Sequence, residues 1–457
     1  MSSAAGPPSA SPVSPVPGSA AWAPGQPAAG EPAGFSPALV MDVELAAPMR
    51  DVKLDDRRYG RVFVTARLHT EPLGTCTLAV GPEGLAASDL AERLWQVFQA
   101  AADQRFATAG RPRPGPLTAA GMDVDPAAWP FLRERHEALA KAPPVSVVLC
   151  TRDRPRQLES CLRYISRQEY PDFEVVVVDN APGTNAAREV IETWRDEMPV
   201  RYVREPRPGL SWARNTGVAV AKGEIIAFLD DDEEADQHWL AGLAVGFGRG
   251  SAIGCVTGMV LPARLDTPAQ EWFEELGGHC KGRGFRPAIF SQDGPQSPLF
   301  PMPCFGAGAN MAFCRSVLTD IGGFDVALGA GTPALAGEDT LALTLVLLSG
   351  YCIAYEPAAL TRHHHRSDGD GLRRQLEGYG AGLTAYYAAL LRHRPGVLFG
   401  LLHLFPSALA HVRREGKGGV PAGLTGGQRR RMLAGPVRYL RSLRTQARAA
   451  RSTGQTR

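Results

Sequence analysis

Five apolar residues run directly into three aspartates in Gly223–Asp232, which reads G-E-I-I-A-F-L-D-D-D. The apolar run Ile225–Leu229 is typical of a strand that is buried on both faces of a parallel sheet. The adjacent carboxylates of Asp230, Asp231 and Asp232 repel one another unless a cation neutralises them. Because Mg²⁺ and Mn²⁺ prefer carboxylate oxygens, the stretch predicts a divalent-metal site at the end of a strand. The alternative interpretation is a solvated acidic turn.

Strands and helices alternate upstream of these aspartates. Val145–Leu149 and Phe173–Val178 are near-continuous apolar runs, whereas Leu158, Leu162 and Ile165 recur at the spacing of a helix face. This alternation predicts an α/β fold with a mostly parallel sheet and helices on both faces.

Polar residues stand at the ends of the predicted strands. Thr151 follows the first strand, Asp179 ends the second, and Asp230 ends the strand quoted above. Ligands of open α/β sheets bind beyond the carboxyl ends of the strands. We therefore expect these three side chains to line one crevice.

Eight motifs in a fixed order resemble family 2 of the glycosyltransferases, which has the GT-A fold. They are Val145–Pro155, Glu174–Asn180, Gly209–Gly217, Gly223–Asp232, Gly306–Met311, Gly322–Asp325, Gly337–Asp339 and His363–Arg366. One departure is Cys150, where the family usually has proline. The resemblance implies an inverting transferase that uses a nucleoside-diphosphate sugar as donor and a saccharide or lipid-linked molecule as acceptor.

The resemblance also implies which residues bind the donor and its metal. Contacts to the nucleotide are expected from Thr151, Arg152, Asp153, Asp179, Arg214 and Asp231. The cofactor is expected to be Mg²⁺ or Mn²⁺, held by Asp230, Asp232 and His363. A helix-surface charge is the alternative for Arg214, and a histidine triplet on a surface loop is the alternative for the histidines.

The catalytic base implied by the resemblance is Asp339, with Glu338 as its positioning partner. Inverting transfer needs a carboxylate that removes the proton of the acceptor hydroxyl as its oxygen attacks. An acidic pair that simply favours a helix N-terminus is the alternative, and both can hold together. Acceptor contacts are expected from Gly306, Gly308, Asn310 and His365.

Composition sets the organisation around this core. The predicted parts are a disordered Pro/Ala-rich tail at 1–38, a small α+β accessory domain at 39–113, a linker at 114–143, the GT-A domain at 144–370, a helical region at 371–445 and a basic tail at 446–457. The eight cysteines are scattered and contain no C-x-x-C pair, which favours reduced thiols. Without a signal peptide, we expect a cytoplasmic protein.

The C-terminal end is rich in arginine beside the apolar segment Val397–Val412. This pairing favours attachment to an anionic membrane surface, and a solvated tail is the alternative. Tyr439 is the one aromatic residue among these arginines, so nucleic-acid binding is not expected.

Two other functions remain open from the sequence. A sugar-phosphate nucleotidyltransferase has a similar sheet but needs a Gly-rich loop after its first strand, and Cys150–Pro155 contains no glycine. A non-catalytic carbohydrate-binding relative of the fold is the second alternative.

Overall fold

The computed structural model describes residues 35–54, 56, 58–279, 282–300, 305–404 and 422–452. Residues Ser36–Arg457 form one compact unit. The predicted tail at 1–38 lies almost wholly outside the described residues. Residues 405–421, which include half of the apolar segment Val397–Val412, and residues 453–457 of the basic tail also lie outside them.

The centre of the protein is a single large sheet. Its strands, within the described residues, are β4 (Val145–Thr151), β5 (Phe173–Asn180), β6 (Val200–Glu205), β7 (Ile225–Asp230), β8 (Glu233–Ala235), β9 (Ile253–Pro262), β10 (Ala288–Phe290), β11 (Asn310–Cys314) and β12 (Cys352–His363). The strand order is β10-β12-β9-β11-β7-β4-β5-β6, and β8 pairs with β12.

The two halves of this sheet differ in strand direction. β7, β4, β5 and β6 are parallel, as alternating strands and helices require, so their carboxyl ends meet at one edge. β11 then joins antiparallel to both β7 and β9, and β12 runs parallel to β9. The predicted α/β class is confirmed, and the parallel arrangement holds for the half that carries the first motifs.

Helices cover both faces of the sheet, as predicted. Successive side chains of a strand point to opposite faces, so Val147 and Leu149 join one hydrophobic cluster and Val148 joins the other. The first face is covered by α3 (Pro155–Ile165), α4 (Ala186–Trp194) and α6 (Trp239–Gly248), and the second by α5 (Leu210–Val220), α8 (Arg315–Asp320), α9 (Glu338–Leu348) and α10 (Gly369–His393).

The N-terminal part is a separate three-stranded sheet with one long helix. It contains β1 (Ala38–Glu44), β2 (Arg61–Leu68), β3 (Glu71–Ala79) and α1 (Ala87–Thr108). β2 and β3 pair antiparallel as a hairpin, and β1 pairs parallel to β2. The limits of the accessory domain stay a prediction.

Ion pairs connect this small sheet to the large one. Arg67 pairs with Asp236 at 2.8 Å beside β8. Arg61 pairs with Glu271 at 2.7 Å on α7 (Pro268–Glu275). The small sheet therefore braces the part of the core that contains β8 and α7.

The segment predicted as a linker and the C-terminal segment both contain helices. The stretch predicted as a linker, 114–143, contains α2 (Pro130–Ala140), because Pro130 occupies the first helical position, where its missing N–H costs nothing. The C-terminal helix α11 (Ala422–Ser452) packs against α10. Within the described residues, no helix has both the length and the apolar character that crossing a membrane requires.

Candidate active site

The acidic corner, which we define as Asp230–Asp232, forms the end of β7 and the turn into β8. Thr151 Oγ1, at the end of β4, donates a hydrogen bond of 2.7 Å to Asp231. Arg154 Nη1 donates to Asp231 at 2.9 Å and to Asp232 at 3.3 Å. Asp231 is therefore tied into the protein, whereas Asp230 and Asp232 retain more exposed carboxylates.

Negative charge accumulates in this corner. Burial raises the pKa of Asp230, and burial together with the neighbouring Asp232 raises the pKa of Asp231 to about 6. Burial also raises the pKa of Glu233 well above its ordinary value, whereas a side-chain contact with Thr361 acts in the opposite direction. A divalent cation bound here would offset the repulsion between the carboxylates, because their oxygen atoms are its preferred ligands.

His363 completes the group of possible metal ligands. It pairs across the strands with Glu233, and its Nε2 lies 3.6 Å from Asp232 Oδ1. Burial lowers the pKa of His363 well below its ordinary value, so the ring is neutral and one nitrogen offers a lone pair. The donor set of two carboxylates and an imidazole fits Mg²⁺ or Mn²⁺, with Mn²⁺ the better match to the imidazole.

The residues predicted to contact the nucleoside lie further along the same edge. Asp179 accepts a hydrogen bond of 3.0 Å from Tyr202, and its other oxygen has no partner within the described part of the chain. Asp153 accepts from the backbone of Gly183 at 2.9 Å. A hollow of about 180 Å³ lies alongside, lined by Pro182, Gly183, Thr184, Asn185 and Arg204. Arg152 is half-exposed beside Asp153.

Arg214 lies beneath the site, and only 2% of its side chain is exposed. It pairs with Glu338 at 3.0 Å and with Asp230 at 3.4 Å, and it donates to the carbonyl of Gly308 at 3.1 Å. The guanidinium therefore joins the acidic corner to the start of α9. Its predicted contact with the nucleotide stays a prediction.

Glu338 and Asp339 begin α9, after Gly337 in a left-handed conformation with φ of 99°. Burial and then the adjacent Asp339 raise the pKa of Glu338 to about 7, whereas Arg214 acts in the opposite direction. Asp339 accepts from the backbone N–H of Gly308 at 2.9 Å and from that of Thr340 at 2.7 Å. These two bonds fix the orientation of its carboxylate.

Gly308 is the closest neighbour of the Asp339 carboxylate among the residues predicted to bind acceptor. A Cβ at Gly308 would lie 2.9 Å from Asp339 Oδ2 and 3.2 Å from Arg214, so only glycine fits. Gly306 is similarly crowded by Thr257.

Asn310 and His365 are the other two residues predicted to bind acceptor, and both are buried. Asn310 donates to the carbonyls of Met259 and Ala359 and accepts from Trp239 Nε1. His365 contacts His363 and Glu274. The amide of Asn310 connects core strands, and the acceptor contacts of both residues stay predictions.

Four polar residues of this region were missed in the sequence: Tyr202, Glu233, Glu274 and His279. Glu233 directly follows the three aspartates, and Tyr202 lies on β6, which pairs with the strand that ends in Asp179, so a search around the strand ends could have included them. Glu274 and His279 are brought to His365 and His363 by the fold alone. No motif in the sequence marks them.

Residues 146–321 match the model of glycosyl transferase family 2. This domain belongs to that family. The match covers the first five of the eight motifs, from Val145–Pro155 to Gly306–Met311, apart from Val145 itself, and the last three motifs lie beyond it. The mixed α/β sheet with helices on both faces agrees with the fold class that the motifs implied.

Relatives of the family 2 domain include two proteins of Haloferax volcanii. The glycosyltransferase AglE is 34% identical over 102 residues, which are 21% of this chain and 33% of AglE. A glucosyl-dolichyl phosphate glucuronosyltransferase is 25% identical over 247 residues, 51% of this chain and 75% of that protein. A solved mannosyltransferase from Pyrobaculum calidifontis, in complex with GDP-Man and Mn²⁺, is 20% identical and covers 72% of this chain and 84% of its own, with a TM-score of 0.39.

Proposed function

We propose that the chain is an inverting glycosyltransferase that moves a sugar from a nucleoside-diphosphate sugar to an acceptor hydroxyl. The family 2 domain supports this function over the nucleotidyltransferase and the non-catalytic relative. The observation that carries it is the network in which Arg214 contacts both Asp230 and Glu338. This network would hold the proposed metal-binding corner and the proposed base at a fixed separation.

The donor would occupy the edge where β4, β5 and β7 end. Asp179 has a carboxyl oxygen available for a ribose hydroxyl or a base, and the adjacent hollow would receive the nucleoside. Thr151, Arg152, Asp153 and Asp231 would line this part of the site, with Arg214 beneath the diphosphate.

Asp230, Asp232 and His363 would hold the divalent cation. When bound, Mg²⁺ or Mn²⁺ neutralises the charge that develops on the leaving diphosphate. Arg154, which already contacts Asp231 and Asp232, adds a positive charge on the same side.

Asp339 would act as the base. Its carboxylate takes the proton of the acceptor hydroxyl while that oxygen forms a bond to the anomeric carbon and the nucleoside diphosphate leaves from the opposite face. This inverts the anomeric configuration. Glu338 would position Asp339 through the shared helix start, and Gly306, Gly308, Asn310 and His365 would surround the acceptor.

A lipid-linked or saccharide acceptor fits this proposal. The name of one relative describes transfer to a glucosyl-dolichyl phosphate, which is a lipid-linked sugar. The same chemistry here would place the acceptor at a membrane surface on the cytoplasmic side.

Calorimetry with nucleoside diphosphates, with and without Mn²⁺, tests the donor site, and a screen of nucleotide sugars for slow hydrolysis identifies the donor. Asp339→Asn should leave diphosphate binding intact and lower transfer by about 10²–10⁴-fold, the usual contribution of a general base. Asp320→Asn, an exposed carboxylate on α8, is the matched control. Near-normal turnover of Asp339→Asn would remove Asp339 as the base.

We also propose that α11 attaches to an anionic membrane surface. Leu433, Val437 and Leu440 recur at helical spacing and are 85%, 51% and 55% exposed. Exposed Arg441 and Arg444 lie beside this stripe, and such a pairing suits a helix in the interfacial region of a membrane.

Co-sedimentation with vesicles tests this attachment. The triple change of Leu433, Val437 and Leu440 to aspartate should abolish binding to vesicles that contain phosphatidylglycerol. Ile289→Asp, which changes an exposed apolar residue on β10 of the large sheet, should bind to the vesicles as the wild type does. Equal binding by the triple variant would contradict the proposal.

A further inference from the structure

His363 has both ring nitrogens directed at polar partners. Its Nε2 faces Asp232 Oδ1 at 3.6 Å, and its Nδ1 lies 2.7 Å from Nδ1 of His365. His365 in turn places Nε2 2.8 Å from Glu274 Oε1 on α7. The side chains thus follow one another in the order Asp232, His363, His365 and Glu274. We call the last three the histidine row.

With Glu274 ionised and both rings neutral, hydrogen-bonding rules give the position of the proton on each ring. A carboxylate can only accept, so the contact with Glu274 requires a proton on Nε2 of His365. A neutral imidazole has one donor and one acceptor, which leaves Nδ1 of His365 as the acceptor. Nδ1 of His363 must then carry a proton, and Nε2 of His363 is left with a lone pair.

This lone pair faces a carboxylate oxygen of Asp232. Two acceptors that face each other repel, and a separation of 3.6 Å is too long for a hydrogen bond of any kind. Neighbouring ligands of one octahedral ion, each about 2.1 Å from it, lie about 3 Å or more apart. The arrangement suits an ion between His363 and Asp232.

We propose that His365 and Glu274 are positioning residues that lock His363 in the tautomer whose Nε2 binds the divalent cation. This inference rests on the proposed function, because the cation is the one expected beside Asp230 and Asp232. Carboxylate partners behind a metal-binding histidine set its tautomer and raise its basicity. Here one additional histidine is inserted between the ligand and the carboxylate.

Packing holds the row in place. The ring of Phe273 lies edge-on to His365 at 4.7 Å between centroids, and that of His279 lies edge-on to His363 at the same distance. Only 1% of the His365 side chain is exposed, so it acts on the reaction through His363. This role differs from the acceptor contact predicted for His365.

His364, between the two histidines in sequence, provides a matched control. Successive side chains of an extended chain alternate in direction, and His364 points away from the row, is 40% exposed and contacts Glu234. On α7, Glu275 is exposed and adjacent to Glu274, which makes it the control for the carboxylate.

The first test measures tautomers in the wild-type protein without added metal, by ¹⁵N NMR of labelled histidine. We expect a proton on Nδ1 of His363 and on Nε2 of His365. The reverse pattern, or a protonated Nε2 on His363, would overturn the proposal. This measurement depends on no variant and on no activity.

The second test measures binding of Mn²⁺ alone by electron paramagnetic resonance. His365→Phe and Glu274→Ala should each weaken binding by about 10- to 100-fold, the usual effect of changing groups behind a ligand. His365→Asn should recover part of the loss, because its amide oxygen can still accept from Nδ1 of His363. His364→Phe and Glu275→Gln should bind as the wild type does.

The outcomes separate this inference from the proposed function. If Asp232→Ala retains Mn²⁺ affinity, the predicted metal site itself is wrong. If Asp232→Ala loses affinity while His365→Phe and Glu274→Ala keep it, the positioning role alone is wrong. Cation binding that survives Asp232→Ala but is lost in His279→Ala would indicate that His279, His363 and His365 hold a separate ion, and would also overturn the proposal.

Discussion

The acidic corner and the histidine row lie on either side of the same proposed cation, but they are built in opposite ways. Asp230–Asp232 are consecutive residues at the end of one strand. The histidine row draws His363 from the end of β12, His365 from the following loop and Glu274 from α7. A site can therefore combine a part that is encoded locally with a part that only the tertiary fold assembles.

The two parts also differ in how they are stabilised. The acidic corner concentrates carboxylates, and Arg154 and Arg214 offset their charge. The histidine row is held by directed hydrogen bonds, and the rings of Phe273 and His279 pack edge-on against it. Changes in the corner should therefore act mainly through charge, whereas changes in the row should act mainly through geometry.

The largest expected effect on stability comes from Arg214. Arg214→Met leaves Asp230 and Glu338 without their buried cationic partner, and such a loss costs about 3–5 kcal/mol of unfolding free energy. Chemical denaturation measures it. Added Mn²⁺ should restore part of the loss, because the cation also offsets the charge of Asp230. A variant as stable as the wild type would mean that the corner does not depend on this arginine.

The next largest effect compares the two sides of the cation directly. Asp232→Asn and His363→Gln should both weaken Mn²⁺ binding, the former by about 1,000-fold or more and the latter by at least about 100-fold, since the carboxylate contributes charge as well as a ligand. Titration calorimetry at low and high ionic strength checks this. The Asp232 effect should shrink as salt increases, whereas equal salt dependence would contradict the distinction between charge and geometry.

The sequence predicted the acidic corner and the parallel half of the sheet because both follow from local patterns. Ile225–Leu229 is apolar over the length of a strand, and the aspartates follow at once. The parallel pairing of β1 with β2 could not be predicted, because it joins two segments that are separated by residues 45–60. Glu274 and His279 could not be predicted for the same reason, since neither lies in a motif and each reaches the histidines only through a contact that the tertiary fold creates.

The effect of pH comes third. Burial raises the pKa of Asp231 to about 6, above the value of about 3.9 expected in the unfolded chain. Between these values the folded, metal-free protein binds more protons than the unfolded chain, so stability falls as pH rises through this window and stays lower above it. Mn²⁺ held by the neighbouring Asp230 and Asp232 disfavours the proton on Asp231 through its charge, so it should raise Tm more at about pH 7.5 than at about pH 5. Thermal melts check this, and Asp231→Asn should flatten the dependence of the metal-free protein.

The smallest effect links the N-terminal sheet to the histidine row. Arg61 on β2 forms a two-bond contact with Glu271, one turn before Glu274 on α7. A partly exposed pair is worth about 1 kcal/mol at most, so Arg61→Ala should weaken Mn²⁺ binding by no more than about fivefold. Arg163→Ala, which breaks an exposed pair with Glu159 on α3, should cost no more than about 0.5 kcal/mol of stability without changing Mn²⁺ affinity. If both variants bind Mn²⁺ equally well, the small sheet stabilises the fold but does not position the histidine row. A sheet that positions the row should weaken Mn²⁺ binding when its contact with α7 is lost, because α7 carries Glu274.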